Sequence, residues 1–364
     1  MEALACPNPV TTGFRAQRMT APGVPGIDKA SEPTDRRERH RGLHRLRVSE
    51  KLILGFLAYL TLAAWFFPVA APRRWLILAT NGLACVLVAA LSRFQQPIAD
   101  TTPRSQQRSP RRVLTLELLD GCKLLAEVRN WLPLALILVA YRESGLFVRP
   151  DLSYRLDELF VVWDRSILGN EGTLRAIAAG GPWLTSYLEV AYLLCYPLVP
   201  IGLALVLIHR RRMISSFVEV GDHSHGEVRG AVTVDEFWTT VLLAAFSAYG
   251  AFPFFPLTPP RVLYHDLPGT SSSFWRGANL WLLDHYGVQA CIFPSGHVAV
   301  VTATALAVRR RQPRLGLVFL WAAFSIAVAT VVLRYHYSAD TLAGAAVAVA
   351  AALVSRRIHI QEAN

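Results

Sequence analysis

Apolar residues run through this chain in long blocks, and the polar residues collect in the gaps between them. A helix that crosses a hydrocarbon core of about 30 Å needs roughly 17 to 25 such residues. Blocks of that kind stand at 52 to 71, 75 to 92, 131 to 148, 183 to 208, 236 to 256, 293 to 308, 315 to 333 and 338 to 355. The pattern predicts an all-α integral membrane protein with about eight transmembrane helices. Two blocks are irregular: Arg142 and Glu143 interrupt the third, and the sixth is short.

Composition points the same way. Hydrophobic residues make up 53% of the 364 positions, with nine tryptophans, too apolar for an ordinary soluble domain. A soluble bundle rich in Leu, Val and Ala yields one or two such blocks, not eight punctuated by arginine clusters.

The net charge of +11 then acquires a location. Lys and Arg close to span ends are retained in the cytoplasm. With the N-terminus inside, the segments Arg93 to Asn130, His209 to Met213, Arg309 to Arg314 and the tail after Val354 all fall inside. Arg73 and Arg74, in the first hairpin, are the one exception. No apolar run precedes the basic stretch Arg36 to Arg47, so residues 1 to 50 read as a disordered basic cytoplasmic tail that meets anionic lipid headgroups, not as a cleavable signal. The remaining organisation is a transmembrane hairpin over 51–92, a basic cytoplasmic linker over 93–130, a membrane core over 131–356 and a short cytoplasmic tail over 357–364. Within the linker, Val113 to Asn130 either lies on the membrane as an amphipathic helix or begins the third span as one long helix. Topology accounts for the charge, and no basic groove interleaved with aromatics suggests nucleic acid as a partner.

This topology sends three polar loops to the extracytoplasmic face. They carry Arg261 in FPFFPLTPPR, His297 in PSGH, and Arg334, His336 and Asp340 in LRYHYSAD. A lone arginine at a span end is ordinarily a snorkelling anchor. Five ionisable residues from three segments on one face are a different matter. His336 and Asp340, four apart at a helix start, share a face, so the carboxylate can hold the imidazole in one tautomer and raise its basicity. Pro294 and Ser295 suit a first helical turn, whose free N–H groups bind anions, and Gly296 lets a phosphate oxygen approach the backbone. Arg261 and Arg334 can grip further oxygens, and His297 can act as general acid.

PSGH, followed by a helix of small residues and then by His-x-x-x-Asp about forty residues later, resembles the type 2 phosphatidic acid phosphatase superfamily. The resemblance covers roughly the last 230 residues and is most specific from Arg261 to Gly344. It implies a six-helix catalytic core, here preceded by an added N-terminal hairpin. By position, it implies that His336 attacks phosphorus to form a phosphohistidine, that Asp340 supports it, and that His297 protonates the leaving group. Ser295, Gly296 and Arg261 would bind the phosphate, and the chemistry would need no metal or other cofactor. The substrate would be a lipid-linked phosphate in the bilayer, with the site extracytoplasmic in a plasma or inner membrane.

The chain departs from the lipid phosphatases proper at three places. Phe254 stands where they have a lysine, Val262 where they have a proline, and Thr330 where they have an arginine. Arg334, two residues before His336, offers a guanidinium in another register. PPR, PSGH, HYSAD and a downstream LAG are closer to a branch similar to the inositol phosphorylceramide and sphingomyelin synthases, in which a lipid alcohol replaces water as acceptor.

Several competing readings are weaker. His336, Asp340 and His297 could coordinate zinc in a metal-dependent hydrolase, but two neighbouring arginines would repel a cation. A non-enzymatic transporter or an inactive relative is the other class: the first calls for polar helices near the bilayer midplane, the second for loss of the His-Asp pair. Ser295 near His297 does not suit a serine protease, since side chains two apart at a helix start, as in Ser-Gly-His, point apart. His223 and His225 lack a third ligand, and the cysteines Cys6, Cys85, Cys122, Cys195 and Cys291 are odd in number and scattered. Cys291 reads as packing. Arg149 to Trp183 is either a lid over the site or a packing loop.

Overall fold

The computed structural model describes residues 46–94, 110–148, 153–168, 180–219, 223–263, 273–288 and 290–363. The basic tail up to residue 45, part of the 93–130 linker and parts of the Arg149 to Trp183 segment lie outside the described residues.

Prolines set the first hairpin. Helix α1 (Val48–Phe66) stops where Phe67, which precedes Pro68, turns extended, and α2 (Ala71–Leu91) starts with a proline in its first turn. Asn81 of α2 is buried and donates to the Leu57 carbonyl at 3.3 Å and to Thr61 Oγ1 at 3.0 Å, which ties the two apolar helices together. Helix α3 (Pro110–Gly145) carries the Val113 to Asn130 segment into the third block as one 36-residue helix. At 1.5 Å per residue it is about 54 Å long, well beyond a bilayer core.

Next come α4 (Ser153–Leu168), α5 (Gly181–Leu193), α6 (Cys195–Glu219) and α7 (His223–Gly250). Blocks at 183 to 208 read as one span, but the structure bends it by 54° between α5 and α6. Pro197 has no N–H to give the Leu193 carbonyl, so the helix breaks there. The chain then forms β1 (Pro256–Leu257), the single turn α8 (Pro260–Leu263), α9 (Phe274–Tyr286), β2 (Cys291–Ile292), α10 (Gly296–Arg311), α11 (Pro313–Val332) and α12 (Ser338–Ala363).

Helix α7 is the axis of the bundle, with α1, α3, α6, α10 and α12 packed around it. Its positions 233–242 are all buried, including Trp238, whose Nε1 donates to the Asn130 carbonyl of α3 at 2.8 Å. Helix α10 packs against α11 and α12, and its Ala299, Ala303, Ala305 and Ala307 are buried. The outer surface is apolar: Leu76, Leu83 and Val86 of α2 and Leu317, Trp321 and Phe324 of α11 are exposed. Surfaces of that kind belong to lipid.

Among the described residues, five helices are long and apolar enough to cross a membrane, six if the bent α5–α6 pair counts as one. The eight expected spans are therefore not all of that kind. The fifth and sixth blocks form helices α7 and α10 but fall outside this class. Helix α10 has only 16 residues, and α7 is enclosed by other helices, so it need not be apolar toward lipid.

Charged residues gather at one end of the bundle. Asp235 of α7 accepts from Val48 N at 3.0 Å and from Ser49 N at 2.9 Å, which caps α1. Buried Glu50 pairs with Arg129 at 2.6 Å, and Glu236 pairs with Arg310 and Arg311. The loops read as chemical lie at the other end.

Candidate active site

Three backbone devices bring the loops together. The first is the turn after α11. The Thr330 carbonyl accepts from both Tyr335 N, at 2.8 Å, and His336 N, at 2.9 Å. This reversal needs a left-handed residue, and Arg334 supplies it at φ 62°, uncommon for a residue other than glycine. It turns His336 inward.

The second device is the short antiparallel pairing of β1 with β2, which sets Leu257 opposite Cys291. It fixes the loop that carries Arg261 beside the loop that carries PSGH. The third is the approach of α12 to the start of α10. Ser295 N donates to the Asp340 carbonyl at 3.3 Å, and a Cβ on Gly344 would stand 2.6 Å from the Ser295 carbonyl oxygen. Only glycine admits that approach, so Gly344 of the LAG sequence holds the PSGH turn against α12.

His336 Nδ1 lies 2.5 Å from Asp340 Oδ2, and both residues are buried. His336 Nε2 lies 3.3 Å from His297 Nδ1. A carboxylate accepts only, so Nδ1 of His336 carries the proton toward Asp340 and Nε2 keeps its lone pair. With its proton on Nδ1, His297 donates to that lone pair.

Ser295 caps α10, accepting from Val298 N at 3.4 Å. It is fully buried, and Gly296 lines the cavity described below. Arg261 N donates to the Arg334 carbonyl at 2.9 Å, and its guanidinium lies 6.0 Å from the Tyr335 ring centre. The structure thus brings His336, His297, Asp340, Ser295, Gly296 and Arg261 together. Arg334 is half-buried and does not line the cavity; its backbone shapes the turn and anchors Arg261.

A cavity of about 430 Å³ opens over these groups, with Arg261, His297 and His336 among aromatic walls of Tyr192, Tyr249 and Tyr335. An apolar chamber with a few polar groups at one point suits an amphiphile whose polar end is held there.

Sequence reasoning missed several participants. Cys291, expected to be packing, lies 3.3 Å from His336 Nδ1 and donates to Asp340 Oδ2 at 3.4 Å. Burial next to Asp340 pushes its thiol well above the usual range. Fully buried Glu189 of α5 accepts from Asn279 at 2.7 Å, Tyr335 OH at 2.9 Å and Arg276 at 3.2 Å. Arg276 also donates to the Leu333 carbonyl at 3.1 Å, so this network holds the turn before His336. Its members come from distant segments, and no spacing pattern announces them.

Cys291, His336 and Asp340 also offer three ligand atoms within 4.8 Å of one another, a set different from His336, Asp340 and His297. A second such group, Asp235, His359 and Glu362, belongs to the opposite end.

Residues 228–354 match the family model described as the PAP2 superfamily. That interval contains all three loops and excludes α1 to α6. No curated protein and no solved structure matches the chain.

Proposed function

We propose, from the match of residues 228–354 to the PAP2 superfamily model, that this membrane protein is a lipid phosphatase or headgroup phosphotransferase working through a phosphohistidine on His336. The supporting observation is the contact chain Asp340–His336–His297 at the cavity wall, with Arg261 beside it.

In this reading the lone pair of His336 Nε2 attacks phosphorus of a lipid-linked phosphate. The bond from phosphorus to the leaving oxygen breaks, and protonated His297 gives that oxygen its proton and becomes neutral. Asp340 stabilises the positive charge that develops on His336 through the Nδ1 proton. Arg261, the free N–H groups of the first turn of α10 and Gly296 hold the phosphate oxygens. His297 next takes a proton from the acceptor, whose oxygen forms the new bond as the P–N bond breaks. Water as acceptor gives free phosphate; a lipid alcohol gives a phosphodiester lipid, as the likeness of PPR, PSGH and HYSAD to the inositol phosphorylceramide and sphingomyelin synthases suggests.

The reading also includes eight crossings, with α7 and α10 as spans and α5–α6 as one bent span. Both termini are then cytoplasmic and the site is extracytoplasmic.

The test is incubation of the purified protein with labelled lipid phosphates, with and without alcohol acceptors, in excess chelator. His336→Ala lowers turnover by about 10³-fold or more, and His297→Ala by about 10² to 10⁴-fold. Full activity in both variants refutes the mechanism. The grouping of Cys291, His336 and Asp340 motivates a second, metal-dependent reading, which loss of activity on chelation would favour.

A further inference from the structure

Helix α4 lies outside the matched interval and carries no recognised pattern. Its residues Asp157, Phe160 and Asp164, three and four apart, form one face and are 7%, 3% and 8% exposed. Each touches a different loop of the site. Asp157 Oδ1 accepts from Thr258 N at 2.8 Å, on the loop that leads to Arg261. The Phe160 ring lies 5.2 Å from Phe293, beside PSGH, and 5.6 Å from Tyr337. Asp164 Oδ1 accepts from Ser338 N at 2.6 Å and Ser338 Oγ at 2.5 Å, between His336 and Asp340.

These attachments fall beside the site residues and act with the β1–β2 pairing and the bond from Arg261 N to the Arg334 carbonyl. Pro259 and Pro260 have no N–H, so Thr258 carries the last amide donor before Arg261. Arg261 itself sits on the four-residue α8. Ser338 opens α12, and its amide is one of the donors that a helix start leaves without an internal partner. The other face of α4, with Leu159, Val162, Trp163 and Ile167, is exposed and apolar. The helix is thus fixed to the loops on one side only.

We infer that α4 is an alignment brace for the reaction, in which Asp157 and Asp164 are positioning residues that hold Arg261 and the His336–Asp340 pair in register. The inference rests on the phosphohistidine reading. Under this inference, α4 takes the packing side of the lid-or-packing alternative for its part of Arg149 to Trp183, because two buried carboxylates grip main-chain amides. Misplacing a reacting group by about 1 Å can cost on the order of 100-fold in rate.

The experiment uses the full-length purified protein and two readouts: turnover of a labelled lipid phosphate that the wild type processes, and binding of orthovanadate, a phosphate mimic that adopts the geometry of the transferring group. Asp157→Ala and Asp164→Ala lower kcat by about 100-fold with KM within about threefold, and weaken vanadate binding in step. Asp164→Asn, which keeps the acceptor oxygen, restores most of the loss. Ser338→Ala, which removes one of the two donors and spares the fold, gives a smaller decrease, and Glu158→Ala on the exposed side changes neither readout. Folded alanine variants with wild-type kcat and vanadate affinity overturn the inference. So does an asparagine variant as impaired as the alanine one, or an unaltered Ser338→Ala should the alanine variants not fold. A wild type that neither turns over lipid phosphates nor binds vanadate refutes instead the phosphohistidine reading.

Discussion

In the proposed phosphohistidine mechanism, the direction of a single proton at His336 decides which nitrogen can react. Asp340 at 2.5 Å claims Nδ1, so Asp340→Asn, whose amide can donate to that nitrogen and favour the wrong tautomer, lowers kcat by about 10² to 10⁴-fold while the protein still folds. Steady-state kinetics on the purified variant checks this. The pair was legible because four residues on a helix make neighbours. The role of Cys291 was not, because its contact with the pair depends on β2 meeting β1, a pairing of two residues per strand that leaves no periodic signal. Its thiol, pushed up by burial and by Asp340, stays protonated at neutral pH. Iodoacetamide therefore spares Cys291 in the folded protein and labels it after denaturation, as peptide mass spectrometry will report. Asp164 carries a raised carboxyl pKa, chiefly through burial, although the Ser338 bonds pull it down. An acid whose pKa rises on folding opposes folding once it ionises. The penalty is absent below the ordinary carboxylate range and grows as pH rises through the raised pKa. The melting temperature of Asp164→Asn relative to wild type should accordingly increase from acid toward neutral pH.

Elements show where reading by blocks succeeds and where it stops. The apolar blocks located helices α1, α2, α11 and α12 well, because lipid-facing helices are apolar along their whole length. The same criterion merged α5 with α6, although Pro197 was in view, since apolarity continues across the bend. It also gave no hint of Glu189, a carboxylate inside α5 that joins α9 to the turn before His336. Glu189→Ala strands Arg276 and Asn279 in a buried place and should destabilise the fold by about 3 to 5 kcal/mol. Thermal unfolding in detergent, compared with the isosteric Glu189→Gln, measures that cost. The substitution Gly344→Val tests the contact between α12 and α10 in the same way, because a side chain there meets the Ser295 carbonyl.

Across the whole molecule, polarity is sorted by end. Asp235, Glu236, Glu50, Arg129, Arg310 and Arg311 interlock at one end, and the three loops meet at the other. Arginine clusters in the sequence foretold the first, and the PSGH and His-x-x-x-Asp sequences the second. A periplasm-active reporter fused at Asn364 stays silent if the C-terminus is cytoplasmic, and one inserted at Ala70 is active. The span number was harder to read, because a helix at the centre of a bundle, as α7 is, answers to its neighbours and not to lipid. The brace has one more consequence. Asp157 and Asp164 bind main-chain amides, and every amino acid except proline supplies one at positions 258 and 338. The amide half of the grip is therefore blind to side-chain identity, while the Ser338 hydroxyl adds a contact that depends on it. Under the proposed mechanism, side chains at these two positions can change while the main-chain contacts that set the register of the site are kept.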